Sequence, residues 1–190
     1  MASDQKIIEA CGKGSKKAFR ELYRKYAPVL LGICTRYSRD INEAEDILQE
    51  GFIKIFNKIG SFRSEGSFEG WMKRIMINTA INHYHKNLKH QRYVEINEIQ
   101  EQLSDDNDQE IDPELPVNKE IILAIVQNMP EGYRFVFNMF VFEGYSHAEI
   151  AEKLGVSVNT SKTQLFKARQ YLRKRIQPYI KENIQNNING

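Results

Sequence analysis

The sequence predicts an all-α protein made of two small helical domains that are joined by an acidic flexible linker. Three observations predict this architecture. Apolar residues recur at steps of three and four, the period of an amphipathic helix, while the alternation typical of a β-strand is nearly absent. The segment 104–116, SDDNDQEIDPELP, combines acids, amides and proline, a composition that buries too little apolar surface to fold. The balance of charge also changes there.

The charge pattern divides the chain into three parts. The formal net charge is only +2 at pH 7. However, residues 1–93 hold 17 basic against 10 acidic side chains, residues 94–120 hold 1 against 10, and residues 121–190 hold 9 against 5. Basic blocks can neutralise phosphate groups, whereas an acidic connector avoids them. We therefore predict a first domain at 1–93, a linker at 94–116 and a second domain at 117–190.

Composition narrows the class of protein. No run approaches the roughly 20 apolar residues that cross a bilayer, and the start, MASDQKIIE, lacks the apolar core of a signal peptide. We therefore expect a cytoplasmic protein without direct membrane insertion. The two cysteines, Cys11 and Cys34, have neither the number of a disulfide framework nor the spacing of metal ligands. We interpret both as packing residues.

Three helices are predicted in the first domain. The apolar stripe of the first consists of Phe19, Leu22, Tyr23, Tyr26, Leu30, Ile33 and Tyr37. The stripe of the second consists of Ile47, Leu48, Phe52, Ile55, Phe56 and Ile59. The loop 60–70, GSFRSEGSFEG, follows, and its three glycines predict unusual backbone angles. The third helix is predicted at about 71–88.

The second domain carries the strongest functional pattern, AEIAEKLGVSVNTSKTQLFKARQYLRKR at 148–175. Two helices at 117–127 and 134–143 precede it. Ser146 and Glu149 form a capping-box pair before a short helix, HAEIAEKL, that ends at Gly155. Ser157 can cap a longer helix at about 158–176. A short helix, a tight turn and a longer helix make a helix-turn-helix, which places its second helix in a major groove of DNA.

The two faces of that longer helix have different predicted roles. Its inward residues are Val158, Leu165, Ala168 and Leu172. The outer surface carries Lys162, Thr163, Phe166 and Lys167, continued by Arg169, Arg173 and Lys174. Six basic residues and no acid occur between 157 and 175, so the helix can neutralise phosphates while its first turns reach base edges. The alternative is an ordinary helical hairpin with a solvated basic face.

Two more polar patterns lie in the first domain. The third helix presents Arg74, Asn78, Asn82 and His85 at steps of four, four and three residues, and asparagine amides can donate to and accept from base edges. The preceding loop can cradle an unstacked base with Arg63, Ser64, Ser67 and Phe68. The alternatives are plain surface residues on the helix and core positions for Phe62 and Phe68.

The second helix of the first domain has an acidic face. It consists of Glu43, Glu45, Asp46, Gln49 and Glu50. The four carboxylates among them repel DNA, so the face suits a basic protein partner. The alternative is a solvated helical face.

Four segments, taken in order, resemble one family. AFRELYRKY, NEAEDILQEGFIKIF, SFRSEGSFEGWMKRIMIN and LGVSVNTSKTQLFKAR, with an acidic segment before the last, resemble the bacterial extracytoplasmic-function (ECF) RNA polymerase sigma factors over about 18–175. The resemblance implies a non-enzymatic subunit that binds core RNA polymerase, directs it to promoters and helps to melt DNA. It implies no cofactor, metal or small-molecule substrate. Many relatives are held inactive by an anti-sigma factor, which adds a further candidate partner.

The resemblance also assigns residues. Polymerase binding maps onto Asp46, Gln49 and Glu50, which would meet a basic coiled coil of the largest polymerase subunit. Contacts to the minus-ten element, including a flipped base of the melted nontemplate strand, map onto Arg63, Ser64, Ser67, Phe68, Arg74, Asn78 and Asn82. Contacts to the duplex minus-thirty-five element map onto Lys162, Thr163, Phe166, Lys167, Arg169 and Arg173. Departures from the family pattern at Asn159, Ser161 and Gln164 leave the promoter preference open.

Two other functions compete with this interpretation. A self-sufficient helix-turn-helix regulator would explain the second domain but not the acidic face or the glycine loop. A metal-dependent enzyme would use His83, His85 and His90, yet these lack the carboxylate or cysteine spacing of a usual metal site.

Overall fold

The structure of this chain is a computed structural model. The backbone is described for residues 2–63, 65–91 and 118–188, and the side chains for 4–63, 65–88 and 118–180. The chain forms two compact units, Met1–Tyr84 and His85–Gly190. Every regular element among the described residues is helical, so the predicted all-α fold in two regions is confirmed.

The acidic segment 104–116 lies outside the described residues. Its role as a linker, and the domain limits that depend on it, therefore stay predictions.

The first unit contains α1 (Ala2–Gly12), α2 (Lys16–Tyr37), α3 (Ile41–Lys58), a 3₁₀ turn (Ile59–Ser61) and most of α4 (Phe68–Gln91). The sequence predicted α2, α3 and α4 but not α1. Helix α4 begins three residues before its predicted start because Ser67 caps it. The Ser67 hydroxyl accepts a hydrogen bond from the Gly70 N–H (3.2 Å), and its carbonyl accepts one from the Trp71 N–H (3.0 Å).

The core of the first unit comes from the predicted stripes. Its fully buried side chains include Leu22, Leu30, Ile47, Ile55, Met72 and Met76. Cys11 and Cys34 are buried and free, in agreement with a packing role. Burial raises the pKa of the Cys34 thiol to about 12, so this side chain stays neutral. Tyr23 departs from its stripe, since it is 42% exposed while its ring packs against Phe52.

The second unit contains α5 (Lys119–Gln127), α6 (Glu131–Phe137), a π-helical turn (Asn138–Phe142), α7 (His147–Leu154) and α8 (Val158–Ile188). The helix predicted at 134–143 thus begins three residues earlier and changes to a π turn. Helix α8 continues past its predicted end at 176, through Pro178.

The connection between α7 and α8 is the predicted helix-turn-helix. The Ser146 hydroxyl accepts a hydrogen bond from the Glu149 N–H (3.3 Å), and the Glu149 carboxylate accepts one from the Ser146 N–H (2.9 Å), so the capping box is confirmed. Gly155 turns the chain with φ +68°, a conformation that favours glycine. The Ser157 hydroxyl accepts a hydrogen bond from the Thr160 N–H (2.9 Å) and caps α8.

The predicted inward orientation is wrong for one residue of α8. Leu165, Ala168 and Leu172 are buried, but Val158 is 41% exposed. Val158 is the first residue of the helix, where the helical period alone cannot tell whether another element covers the side chain. Ser161 takes the inward position of the first turn, fully buried, with its hydroxyl 2.9 Å from Nδ1 of His147.

Candidate polymerase and nucleic-acid interfaces

The outer face of α3 is polar at its start and apolar further along. Asp46 and Gln49 are exposed, as expected for residues that meet a partner. Ile53 follows Gln49 by four residues, so it continues the same face, and it is 59% exposed. Ile53 was not among the residues predicted to contact a partner, although an isoleucine within a polar face was a visible signal.

Glu50, the third predicted polymerase contact, is engaged within its own unit. Its carboxylate oxygens lie 2.7 Å from Nζ of Lys54 and 2.7 Å from Nε2 of His83. The hydrogen bond from Lys54, helped by the one from His83, lowers the pKa of Glu50 to about 2 despite partial burial. Lys54 also donates to the hydroxyl of buried Thr79 (3.1 Å). Glu50 therefore connects α3 to α4, in addition to any contact with a partner.

Another acid of this face has a local role. Glu43 accepts a hydrogen bond from the Arg39 N–H (2.7 Å), while its own N–H donates to the side chain of Asp40 (2.9 Å). These bonds close the first turn of α3. Glu45, by contrast, is exposed.

The loop before α4 rests on an aromatic cluster formed by Tyr26, Phe62, Phe68 and Trp71. Phe68 is only 8% exposed, and its ring stacks on Trp71 with centroids 5.6 Å apart. Phe62 closes the cluster, 5.1 Å from Phe68 and 5.4 Å from Trp71. Phe68 thus occupies the core position that the sequence analysis left open, and it cannot present an open ring face to a base.

The other predicted loop residues have different surroundings. Arg63 is exposed, Ser67 is exposed while its hydroxyl caps α4, and Ser64 lies outside the described residues. Gly66 has φ +112°, so the loop has the unusual backbone angle that its glycines predicted.

Three of the four residues of the predicted polar face of α4 are exposed, while His85 is half-buried. Arg74, Asn78 and Asn82 are exposed at steps of four, while Met72 and Met76 are buried on the opposite side. Gly51 lets α3 approach that side closely, since a methyl group on Gly51 would lie 2.2 Å from the Met76 sulfur. The core contacts fix the rotation of α4 about its axis and leave the side-chain amides of Asn78 and Asn82 exposed to solvent.

The predicted outer surface of α8 shows graded exposure. Lys162 and Arg173 are exposed, while Thr163, Phe166 and Lys167 are half-buried. Arg169 is also half-buried, with its guanidinium carbon 5.9 Å from the centroid of the Phe140 ring. The contact with the Phe140 ring restrains the guanidinium of Arg169.

His147 lies under the start of this surface. Its ring stacks on Phe140, with centroids 4.7 Å apart. Burial, followed by the positive charges of Lys162 and Arg169, lowers the pKa of His147 below its ordinary value of 6.5. The neutral ring is therefore favoured at pH 7.

The side chains of 4–63, 65–88 and 118–180 include no group of three or more potential metal ligands from His, Cys, Asp and Glu. Of the histidines in the enzyme alternative, His83 is paired with Glu50, and the side chain of His90 lies outside the described residues. Within the described backbone, no helix has both the length and the apolar character that crossing a bilayer requires.

Comparison with known proteins decides the family. The model of Sigma-70 region 2 matches residues 22–89, and that of Sigma-70 region 4 matches residues 119–172. The RNA polymerase sigma-H factor of Pseudomonas aeruginosa is 32% identical over 186 residues, which cover 94% of this chain and 96% of that protein. The ECF RNA polymerase sigma-E factor of Haemophilus influenzae is also 32% identical, covering 94% and 97%.

The chain belongs to the ECF family of RNA polymerase sigma factors. It is therefore a transcription initiation factor that binds core RNA polymerase, directs it to promoters and helps to melt DNA. The solved sigma factor RpoE in complex with the anti-sigma factor NepR, from Bartonella quintana, is similar with a TM-score of 0.49 and 18% identity. That match covers 85% of this chain and 98% of the solved chain.

Proposed function

We propose that this sigma factor divides promoter opening among three surfaces. The polymerase surface is Asp46, Gln49 and Ile53 on α3. The strand-capture surface is Arg63, Ser67, Arg74, Asn78 and Asn82, together with Ser64. The duplex surface is Lys162, Thr163, Phe166, Lys167, Arg169 and Arg173 on α8. The observation that carries the proposal is the exposed pair of amides, Asn78 and Asn82, one helical turn apart on a helix whose opposite side is locked into the core.

In this mechanism, binding drives opening. The duplex surface docks first and neutralises phosphates, and the strand-capture surface then holds a base that has left the stack. Unstacking costs a few kcal/mol, which base contacts and phosphate contacts together can offset. Phe68 contributes by supporting the loop from below. No step forms or breaks a covalent bond, so the protein acts without catalysis of its own, in the cytoplasm.

The polymerase surface suits a basic partner that also offers an apolar contact. Asp46 supplies negative charge, and Ile53 supplies apolar area that is otherwise left in water. Glu50 acts mainly by fixing α3 against α4, because Lys54 and His83 of its own unit already contact its carboxylate. An anti-sigma factor would compete with polymerase if it covered this same surface.

The test is reconstitution with core RNA polymerase. Purified wild-type protein should form a stable complex with core and start transcription from promoter DNA that core alone ignores. Asp46→Lys should lower the affinity for core about ten-fold or more, because it places a cation against a basic surface. Glu21→Lys, the same charge change at an exposed residue of α2, is the matched control.

The outcomes separate the alternatives. Equal loss with both variants would mean that net charge, and not the polymerase surface, controls binding. Tight binding of wild type to duplex DNA without any binding to polymerase would favour the self-sufficient regulator.

A further inference from the structure

Asn159, the second residue of α8, lies on the duplex surface. A helix aligns Asn159 with Lys162 and Thr163, three and four residues on, and with Phe166 two turns on. Asn159 is exposed. Residues near the N-terminus of a recognition helix are the ones that contact base edges in a major groove.

The other polar side chains around the first turn of α8 already have partners. The hydroxyls of Ser157 and Thr160 lie 2.8 Å apart, and that of Ser157 also accepts the Thr160 N–H. The buried Ser161 hydroxyl lies 2.9 Å from His147. Within the described part of the chain, Asn159 has no hydrogen bond from its side chain. Its carboxamide therefore keeps both a donor and an acceptor for another molecule.

Gln164 is oriented differently, although it is another polar residue of the same helix. It is half-buried against the start of α6, where a methyl group on Gly132 would lie 2.6 Å from its Nε2. Its Oε1 atom is buried as well. Gln164 thus fills the space between α6 and α8 and does not belong to the duplex surface.

We propose that Asn159 reads a base of the upstream promoter element and selects adenine. An asparagine carboxamide pairs in two places with adenine, accepting from N6 and donating to N7, which no other base pair offers in the same arrangement. The inference rests on the proposed role of α8 as the duplex surface. Ser161 and Gln164 then affect packing and leave the choice of base to Asn159 and its neighbours.

The experiment uses sigma factor with core RNA polymerase and a library of promoters in which only the upstream element is randomised. Sequencing of the bound DNA measures the preference at each position. Wild type should enrich adenine at one position. Asn159→Ala should reduce that preference about ten-fold at that position and leave the others unchanged. Gln164→Ala, whose folding is checked by thermal unfolding, should keep the adenine preference.

Each contrary outcome has a separate meaning. If wild-type holoenzyme selects no sequence, the proposed function fails and the inference fails with it. If wild type is selective and Asn159→Ala has the same profile, only the inference fails. A uniform loss over all sequences with a weaker salt dependence would assign Asn159 to a phosphate and would also overturn it.

Discussion

Helices α4 and α8 each present a face that is predicted to bind DNA, but the two faces differ in chemistry. The duplex surface on α8 has four cations, Lys162, Lys167, Arg169 and Arg173, and no acid. The α4 face has one cation, Arg74, and two neutral amides, Asn78 and Asn82. Cations bind the phosphates of any duplex, whereas amides need bases whose edges are accessible. The difference suits α8 to intact duplex and α4 to a strand that has already been opened.

The largest effect should come from removing both amides of α4. Asn78→Ala with Asn82→Ala should slow open-complex formation about 100-fold, since two base contacts at about 1–3 kcal/mol each are lost. Affinity of the holoenzyme for a closed duplex should change less than about two-fold. Permanganate footprinting measures opening, and filter binding measures affinity. An equal loss in the rate of opening and in the affinity for closed duplex would contradict the division of roles between α4 and α8.

A smaller effect should follow from removing one cation of α8. Arg173→Gln should weaken duplex binding about ten-fold and reduce the slope of log affinity against log salt by about 0.9, as expected for one phosphate contact. Arg175→Gln is the matched control. Arg175 is exposed on the same helix, but its guanidinium lies over the ring of Tyr171 at 3.5 Å, on another face. Identical slopes for the two variants would contradict a defined duplex surface.

The third effect concerns stability of the second unit. Gly155→Ala should lower its free energy of unfolding by about 1–2 kcal/mol, because alanine is strained at φ +68°. Guanidinium titration followed by circular dichroism measures the change. Gly132→Ala would not be a suitable control because Gln164 lies too close. Glu152→Ala, an exposed site on α7, should change the free energy of unfolding by less than about 0.5 kcal/mol.

The smallest effect is a pH dependence in the first unit. The pKa of Glu50 is lowered from 4.5 to about 2, so its contribution to stability is present above pH 4.5 and is lost as pH falls towards 2. Wild type should exceed Glu50→Gln by about 1 kcal/mol or less at pH 6, and the difference should shrink below pH 4.5. Urea titrations at several pH values measure it. Glu45→Gln, at an exposed position, should show no such trend.

Local signals were sufficient to predict much of the fold. Some features act over only a few residues and are therefore visible in the sequence. They are the capping pair Ser146 and Glu149, the turn at Gly155 and the cap at Ser157. Helix α1 was missed because it buries little against its neighbours, chiefly Ile7 and Cys11. Its sequence therefore shows only a weak apolar stripe.

The candidate surfaces also combine features that the sequence predicted and features that it could not predict. Helical period correctly predicted the exposure of Asn78 and Asn82. It could not predict that Glu50 pairs with His83, which is 33 residues away, because that contact depends on how two helices pack. The burial of Phe68 likewise depends on the fold of the loop over Tyr26 and Trp71, which no short pattern encodes.

The aromatic cluster makes the protein its own optical reporter. Trp71 is the single tryptophan of the chain, and it stacks on Phe68 beside Phe62, directly below the loop of the strand-capture surface. Any displacement of that loop changes the solvent and ring contacts of the indole. The chain also has nine tyrosines. Excitation at the red edge of the indole absorption band, where tyrosine absorbs little, makes the emission follow this one place in the molecule, and strand capture can be timed by stopped flow without attaching a dye.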